Sequence, residues 1–332
     1  MRILVTGGGG FLGSHVALRL NELGHDVTVF GRRPYHHLPD DIRQVQGDLN
    51  QAEEVAFACK DQEAVFHSGA LTGIWGPREV FEKTNILGTQ NIIDSCFNSG
   101  VKKLIYTSSP SVVFGESDLE NVDESVPYPK QYLTSYPQTK AEAERRVIAA
   151  NGNSGLLTVA LRPHLIWGPQ DPHLVPRILE RAGQKKLIKV GNGKNLVDII
   201  YIDNAVEGHL LALEALQPGA TCAGRVYFLS DDEPVVLWDW ISRLIKEMEL
   251  PPISRSISYA LAKKLGHGME LWYTLLGKQS EPRMTRFVAG QLAKSHFFNI
   301  TAAKRDLNYR PVVSPEEGWK KMIRWFKTHP VN

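Results

Sequence analysis

Cysteine is scarce. The 332 residues hold three, Cys59, Cys96 and Cys222, far apart and odd in number. No Cys-x-x-Cys pair occurs, so neither a disulfide framework nor a zinc site organises the chain, and the thiols are expected to be buried in a reducing compartment. Long apolar runs are missing too. No stretch approaches the roughly 18 residues of a membrane-spanning helix. An excess of one charge is also absent: Lys+Arg number 38 and Asp+Glu 36, a net of +2. That balance gives no electrostatic ground for a nucleic-acid partner. Lys320, Lys321, Arg324 and Lys327 read as one solvated helix face. No leader is expected before the first strand, which makes cytoplasmic the default location. No metal-ligand set, repeat or low-complexity linker stands out.

What is present is a soluble globular composition, 42% hydrophobic and 22% charged, long enough for a substantial core. The most informative stretch is the first. Ile3, Leu4 and Val5 read as a buried strand. A glycine turn follows, and then helical spacing from Phe11, with Leu12, Val16, Leu20 and Leu23 on one face and Gly24 as a stop. A strand, a glycine turn and a helix N-terminus together hold a pyrophosphate, because the backbone can come close and the first N–H groups point at the anion. Two frames fit: Gly8-x-Gly10-x-x-Gly13 and Thr6-Gly7-x-x-Gly10-x-x-Gly13.

Alternating patterns predict an α/β fold, a doubly wound parallel Rossmann sheet. Strands are expected at 26–30, 64–67, 103–107 and 157–161, with the end of another at 45–48, and later at 196–202 and 226–229. Helices are expected at 54–59, 80–98, 135–150, 205–215 and 237–248, with a last one near Pro315. Residues 115–133 read as an irregular polar stretch. Residues 253–278 hold scattered Ile, Tyr, Leu, Met and Trp between Lys263, Lys264 and His267. They suit either a lipid-binding wall, a membrane surface or plain core. The expected division is a dinucleotide-binding core over 1–168 and a mainly substrate-binding region over 169–332, with some segments returning to the core.

The second informative stretch is Ser135-Tyr136-Pro-Gln-Thr-Lys140. Pro137 suits the first turn of a helix. Tyr136 and Lys140, four apart, share one helix face. A phenol titrates near 10, and a neighbouring ammonium, with the positive charge of an oxidised nicotinamide, would bring it down into useful range. Thr107-Ser108-Ser109-Pro110-Ser111 lies at the end of the fifth strand, with Ser109 27 residues before Tyr136. A hydroxyl there can hydrogen-bond a substrate oxygen while Tyr136 moves its proton.

These motifs resemble the extended short-chain dehydrogenase/reductases, over nearly the whole chain. Within them the chain looks most like the 3β-hydroxysteroid dehydrogenase group, in particular sterol-4-carboxylate 3-dehydrogenases and 2-alkyl-3-oxoalkanoate reductases. Further stretches carrying the resemblance are Gly47-Asp-Leu49, Tyr106 to Phe114, Leu161 to Pro169, Gly191 to Asp198, Tyr201-Ile-Asp-Asn204 and Glu281-Pro-Arg-Met-Thr-Arg-Phe287. The resemblance implies that Ser109 orients the substrate, Tyr136 is the acid/base, and Lys140 is its partner and a ribose contact. Counting back from Gly115 leaves Ser108 and Ser111 open for a share in Ser109's role. It further implies cofactor contacts at Gly7, Gly10, Phe11, Leu12 and Gly13, with Gly8 and Gly9 as flexible filling of the turn. Asp48 and Leu49 match adenine-contacting positions, and Ser68, Gly69 and Ala70 a cofactor-flanking turn. Thr107 and Ser108 adjoin the cofactor, and Pro163, Leu165 and Ile166 match the backbone around the carboxamide.

A ribose-binding carboxylate is missing at the end of the second strand, where Gly31-Arg32-Arg33 stands instead. Arg32 can pair with a 2′-phosphate, which favours NADP, with NAD as the lesser option. Many sugar-nucleotide members carry an arginine where this chain has Val197. The expected substrate is therefore hydrophobic: a 3-oxo or 3-hydroxy acid of the 2-alkyl-3-oxoalkanoate type, or a 3β-hydroxysteroid. The alternatives are a nucleotide-sugar epimerase or dehydratase, and a nonenzymatic NADP-binding sensor. The resemblance also implies a homodimer formed by the 80–98 and Tyr/Lys helices, and the apolar 253–278 stretch suits peripheral membrane contact.

Overall fold

A computed structural model describes residues 1–330. Seven strands form one parallel sheet in the order β12-β7-β5-β4-β1-β2-β3. In chain order they are β1 (Arg2–Thr6), β2 (Asp26–Gly31), β3 (Arg43–Gln46), β4 (Ala64–His67), β5 (Lys103–Thr107), β7 (Leu157–Pro163) and β12 (Arg225–Leu229). The inner strands are buried on both faces, which is why they read as continuous apolar runs and not as alternating ones. On the two faces lie α1 (Phe11–Glu22), α2 (Ala52–Cys59), α4 (Gly88–Ser99), α5 (Ser135–Ala149) and α7 (Ile202–Ala215). α1 packs on α7, and α2 on α4. Strand order reverses between β1 and β4, the place where such sheets open a ligand crevice at their C-terminal edge.

The later part of the chain adds a smaller sheet, β13 (Val235–Val236), β10 (Leu196–Val197), β15 (His296–Phe298) and β6 (Leu119–Val122). Two bridges join it: β8 (Ile166–Trp167) with β11 (Ile200–Tyr201), and β9 (Lys189–Val190) with β14 (Ser256–Ile257). Around these lie α6 (Leu174–Gly183), α8 (Leu237–Glu247), α9 (Tyr259–Leu275), α10 (Arg286–Ala293), α11 (Thr301–Asp306) and α12 (Pro315–Thr328). Trp167, Tyr201, Trp240 and Trp319 pack edge to face at 5.1 to 5.9 Å and tie this part together. β12 returns to the edge of the main sheet beside β7.

Several expected bounds shift. The third strand, expected to end over 45–48, is 43–46 and stops two residues earlier. The expected strand 196–202 is two bridges, because the buried Asp198 between them accepts the Phe298 N–H at 2.8 Å and passes the chain from β15 to β8. The 80–98 helix begins as α3 (Arg78–Phe81) and passes through a π-helical turn, Glu82–Leu87, before α4. Such turns re-aim side chains at functional sites. Here Asn85 bonds the backbone of Leu71 on both sides, at 2.7 and 3.1 Å, and the Thr139 hydroxyl at 3.0 Å. The 115–133 stretch contains β6. The scattered 253–278 residues are mostly one long helix, α9, capped by the Ser258 hydroxyl on the Leu261 N–H. Leu261, Leu265, Trp272 and Leu275 are exposed on it. No helix among the described residues is long and apolar enough to cross a membrane.

Candidate active site

The glycine turn is built by contacts on every side. Gly7 has φ +67°, and a Cβ there would lie 2.7 Å from the Gly69 Cα. A Cβ on Gly13 would run into the Gly7 carbonyl. Gly10 is tight only against that same oxygen, at 3.2 Å. Gly8 and Gly9 are not flexible filling, contrary to expectation. A Cβ on Gly8 would meet Val29 at 2.5 Å, and one on Gly9 would enter the Tyr35 ring. The Tyr35 hydroxyl also covers Gly31, so this ring presses the glycine turn against the end of β2. No local pattern signals that packing, because Tyr35 lies beyond Pro34 in an irregular segment.

The fit to a dinucleotide follows from what α1 lacks. Its N-cap, Gly10, offers no side-chain cap, and its first turn holds no acidic residue. The orphan N–H groups there are left to an anion. Beside the turn is a cavity of about 190 Å³ lined by Gly7, Arg32, Asp48, Leu49, Gly69 and Ala70. Six of the expected cofactor residues therefore converge. Phe11 is half-buried and packs edge-on against His15 at 5.3 Å, while Leu12 is buried in the core.

The strand ends are cross-linked by hydroxyls. Thr107 Oγ1 lies 2.9 Å from Ser68 Oγ and 2.9 Å from His209 Nε2, so β4, β5 and α7 meet at one atom. His67 bridges Thr6 at 2.7 Å and Thr89 at 2.9 Å. Burial pushes its pKa down to about 3, with Lys140 adding to the effect, so it is a neutral strut.

Ser109 caps a short 3-10 turn, Pro110–Val113, and is only partly buried. Ser108 and Ser111 are buried, and the Ser108 N–H is spent on the Leu161 carbonyl at 2.6 Å. Of the three, Ser109 has the hydroxyl that a ligand can reach. Tyr136 is half-buried in the first turn of α5. Burial raises its pKa above the ordinary phenol value, and the Ser109 hydroxyl pulls it back. Lys140, expected to lower the phenol, is turned elsewhere. Its Nζ donates to the Thr107 carbonyl at 2.6 Å and lies over the Tyr106 ring at 4.1 Å. Burial brings Lys140 itself down to about 7, while Glu144 pulls it upward.

Glu144 is the next residue on the same face, i+4 from Lys140, and the sequence reading missed it. It accepts Arg162 Nε at 2.9 Å and Nη2 at 2.6 Å, and the Tyr128 hydroxyl at 2.5 Å. Both side chains of the ion pair are sealed from solvent. Burial acts to raise Glu144, but Arg162 together with the Ser108 and Tyr128 hydroxyls outweighs it and holds the carboxyl low. The spacing Tyr136, Lys140, Glu144 was the available signal.

At the end of β7, Pro163 is buried and Leu165 has φ +46°. A leucine in this left-handed region costs on the order of 1–3 kcal/mol, and such strain collects where backbone must be presented to a ligand. Ile166 follows in β8. His164 beneath them bonds His296 at 2.6 Å, and both are held neutral by burial. Val197 is fully buried in β10 and presents no charge.

Residue Ser135 opens onto a second cavity, of about 440 Å³. Trp75, Phe81, Leu133 and Leu271 supply apolar wall, and Glu270 and Arg286 a polar one. This cavity lies at the N-terminal end of the helix that carries Tyr136.

Residues 4–260 match the 3-beta hydroxysteroid dehydrogenase/isomerase family. The chain is 44% identical over 325 residues to a 2-alkyl-3-oxoalkanoate reductase of Stenotrophomonas maltophilia, covering 97% of this chain and 98% of that one. It is 34% identical over 331 residues to the human sterol-4-alpha-carboxylate 3-dehydrogenase, decarboxylating, covering 98% and 88%. Among solved structures it resembles gox2253 (TM-score 0.80, 28% identity, 99% and 98% covered). It also shares the fold of a UDP-glucose 4-epimerase from Thermotoga maritima (TM-score 0.78, 24% identity, 99% of both chains). With its glycine turn, its parallel sheet and its Tyr136/Lys140 helix, the chain belongs to the 3-beta hydroxysteroid dehydrogenase/isomerase family and is an NAD(P)-dependent oxidoreductase acting between secondary alcohol and ketone.

Proposed function

We propose that the chain reduces the 3-oxo group of a hydrophobic 2-alkyl-3-oxo acid, with NADP as the preferred cofactor. The observation that carries this reading is the pairing of two part-exposed hydroxyls, Tyr136 and Ser109, with Ser135, the neighbour of Tyr136, in the wall of a largely apolar cavity. The similarity to the reductase of Stenotrophomonas maltophilia points the same way. When bound, the nicotinamide cofactor supplies hydride to the carbonyl carbon. Ser109 Oγ donates a hydrogen bond to the carbonyl oxygen, and Tyr136 Oη delivers the proton to that oxygen as negative charge develops there. The high pKa of the phenol keeps it protonated for this step. Lys140, fixed on the Thr107 carbonyl, has N–H groups left over for a ribose hydroxyl. Arg32, exposed beside the adenosine cavity, pairs with the 2′-phosphate. The uncharged, buried Val197 fits an apolar substrate better than a sugar diphosphate.

The test is NADPH consumption measured side by side on 2-alkyl-3-oxo acids, 3-ketosteroids and nucleotide sugars. The acids should be the best substrates, and Tyr136→Phe should lose on the order of 10²- to 10⁴-fold in kcat. Faster turnover of a nucleotide sugar would overturn the reading. Arg32→Ala should raise the KM for NADPH far more than that for NADH; equal effects on the two would reject the NADP assignment.

A further inference from the structure

The segment Glu281–Phe287 carries part of the family resemblance but has no role in the chemistry above. Its Arg286 is the first residue of α10 and lines the 440 Å³ cavity. Glu270, on α9, receives two bonds from it: the backbone N–H at 2.7 Å and Nε at 2.6 Å. These bonds fix the guanidinium on one edge. Its two Nη groups make no hydrogen bond among the described residues. Their fork is what matches a carboxylate in bidentate fashion.

The fork sits on a wall joined to the reacting end. Phe287, the next residue, packs edge-on against Phe114 at 5.8 Å, and Phe114 closes the turn that Ser109 opens. Gly290 lies against the same ring. α10 is held to α9 at its start, where a Cβ on Gly266 would meet the Thr285 carbonyl carbon at 2.6 Å. Around the cavity the charge balance favours an anion. Glu270 is the single carboxylate among its lining residues and is occupied by Arg286, whereas Lys278 is a second cation. The Trp75 indole donates to the Lys278 carbonyl at 3.0 Å, which fixes this end of the wall to the 71–78 loop.

We propose that Arg286 is the carboxylate anchor of the substrate, aimed by Glu270, and that it selects a 3-oxo acid over the corresponding neutral ketone. This rests on the function proposed above, in which the substrate carries a carboxylate two carbons from the reacting oxygen. A charged hydrogen-bonded pair of this kind corresponds to roughly 10- to 100-fold in affinity.

Two readouts test it. The first is binding, by calorimetry, of an unreactive 2-alkyl alkanoic acid and of its primary amide to the intact enzyme. Wild type should prefer the acid, Arg286→Leu should abolish that preference, and Arg286→Lys should restore part of it. The second is kcat/KM on a 2-alkyl-3-oxo acid and on its methyl ester. Arg286→Leu should lose about 10- to 100-fold on the acid and under about 3-fold on the ester. Equal losses on both, or no loss, would overturn the anchor while leaving the proposed function standing. Wild-type turnover of neutral ketones with no acid accepted or bound would overturn both. Glu270→Gln should leave the preference for the acid in place but weaken it, which separates aiming from anchoring.

Discussion

Glu144 and Glu270 each hold an arginine, and they do so in opposite ways. Glu144 takes both Nε and Nη2 of Arg162, with the two side chains 0% and 2% exposed. Glu270 takes the Nε and the backbone N–H of Arg286, with the two side chains 10% and 33% exposed. In the first pair Nε and Nη2 are spent on one carboxylate inside the protein, and Nη1 is buried without a hydrogen bond. In the second the fork is left open to a cavity. The same two residue types thus make a sealed strut beneath the Tyr136 helix and, as proposed, a recognition device above it. Burial decides the difference, because a sealed charge needs its counter-ion within the protein, whereas a partly exposed one can also be met by water or a ligand.

The largest effect expected from this contrast lies at the sealed pair. Glu144→Gln leaves the Arg162 charge buried without its counter-ion and should cost about 3–5 kcal/mol in urea unfolding at neutral pH. The sign under acid follows from Glu144 being held below the ordinary carboxylate value. Its pairing contributes above that ordinary value and is lost as pH falls through the depressed one. The gap between wild type and variant should therefore close in acid. A variant as stable as wild type at pH 7 would show that Glu144 is dispensable to the strut.

The second effect concerns the third charge on the same helix face. Burial lowers Lys140 to about 7 from 10.5. Between those values the unfolded chain binds the extra proton and the folded one does not, so stability rises with pH across that window. Below about 7 both states carry the proton and the penalty is at its full value. Lys140→Met removes this dependence. The stability difference between wild type and variant should move by about 2–4 kcal/mol in favour of wild type from pH 7 to pH 10 in the cofactor-free protein. A flat difference would mean that Lys140 stays charged throughout.

The two pairs were not equally legible in the sequence. The glycine turn, Ser109, Tyr136 and Lys140 could be read because their chemistry is set by short spacings along one strand end or one helix face. Glu144 obeys the same i+4 rule and was within reach of that logic. Its partner Arg162 is 18 residues on, across the sheet, and burial gives no local sign. Glu270 lies on a helix that the apolar, lysine-broken pattern of 253–278 did not resolve, and Arg286 opens a second, eight-residue helix beyond it. Tyr35 over Gly9, and Leu165 in its left-handed backbone, are likewise products of packing between segments. Such features arise only when the chain is closed on itself, so spacing alone does not reveal them.

The smallest effect on stability is expected at the open pair, and it sharpens the contrast most. Glu270→Gln keeps an amide oxygen that can still accept the Arg286 backbone N–H, and Arg286 is one-third exposed, so water can solvate its charge. A partly exposed pair of this kind contributes about 0–1 kcal/mol. The same chemical change that damages the fold at residue 144 should therefore shift urea unfolding at residue 270 by no more than about 1 kcal/mol. Its consequence should appear instead in the KM for an acidic substrate, because an unaimed fork still carries charge but no longer presents both Nη groups together. A loss above about 2 kcal/mol with an unchanged KM would make the open pair a second strut, and burial would then no longer separate the two.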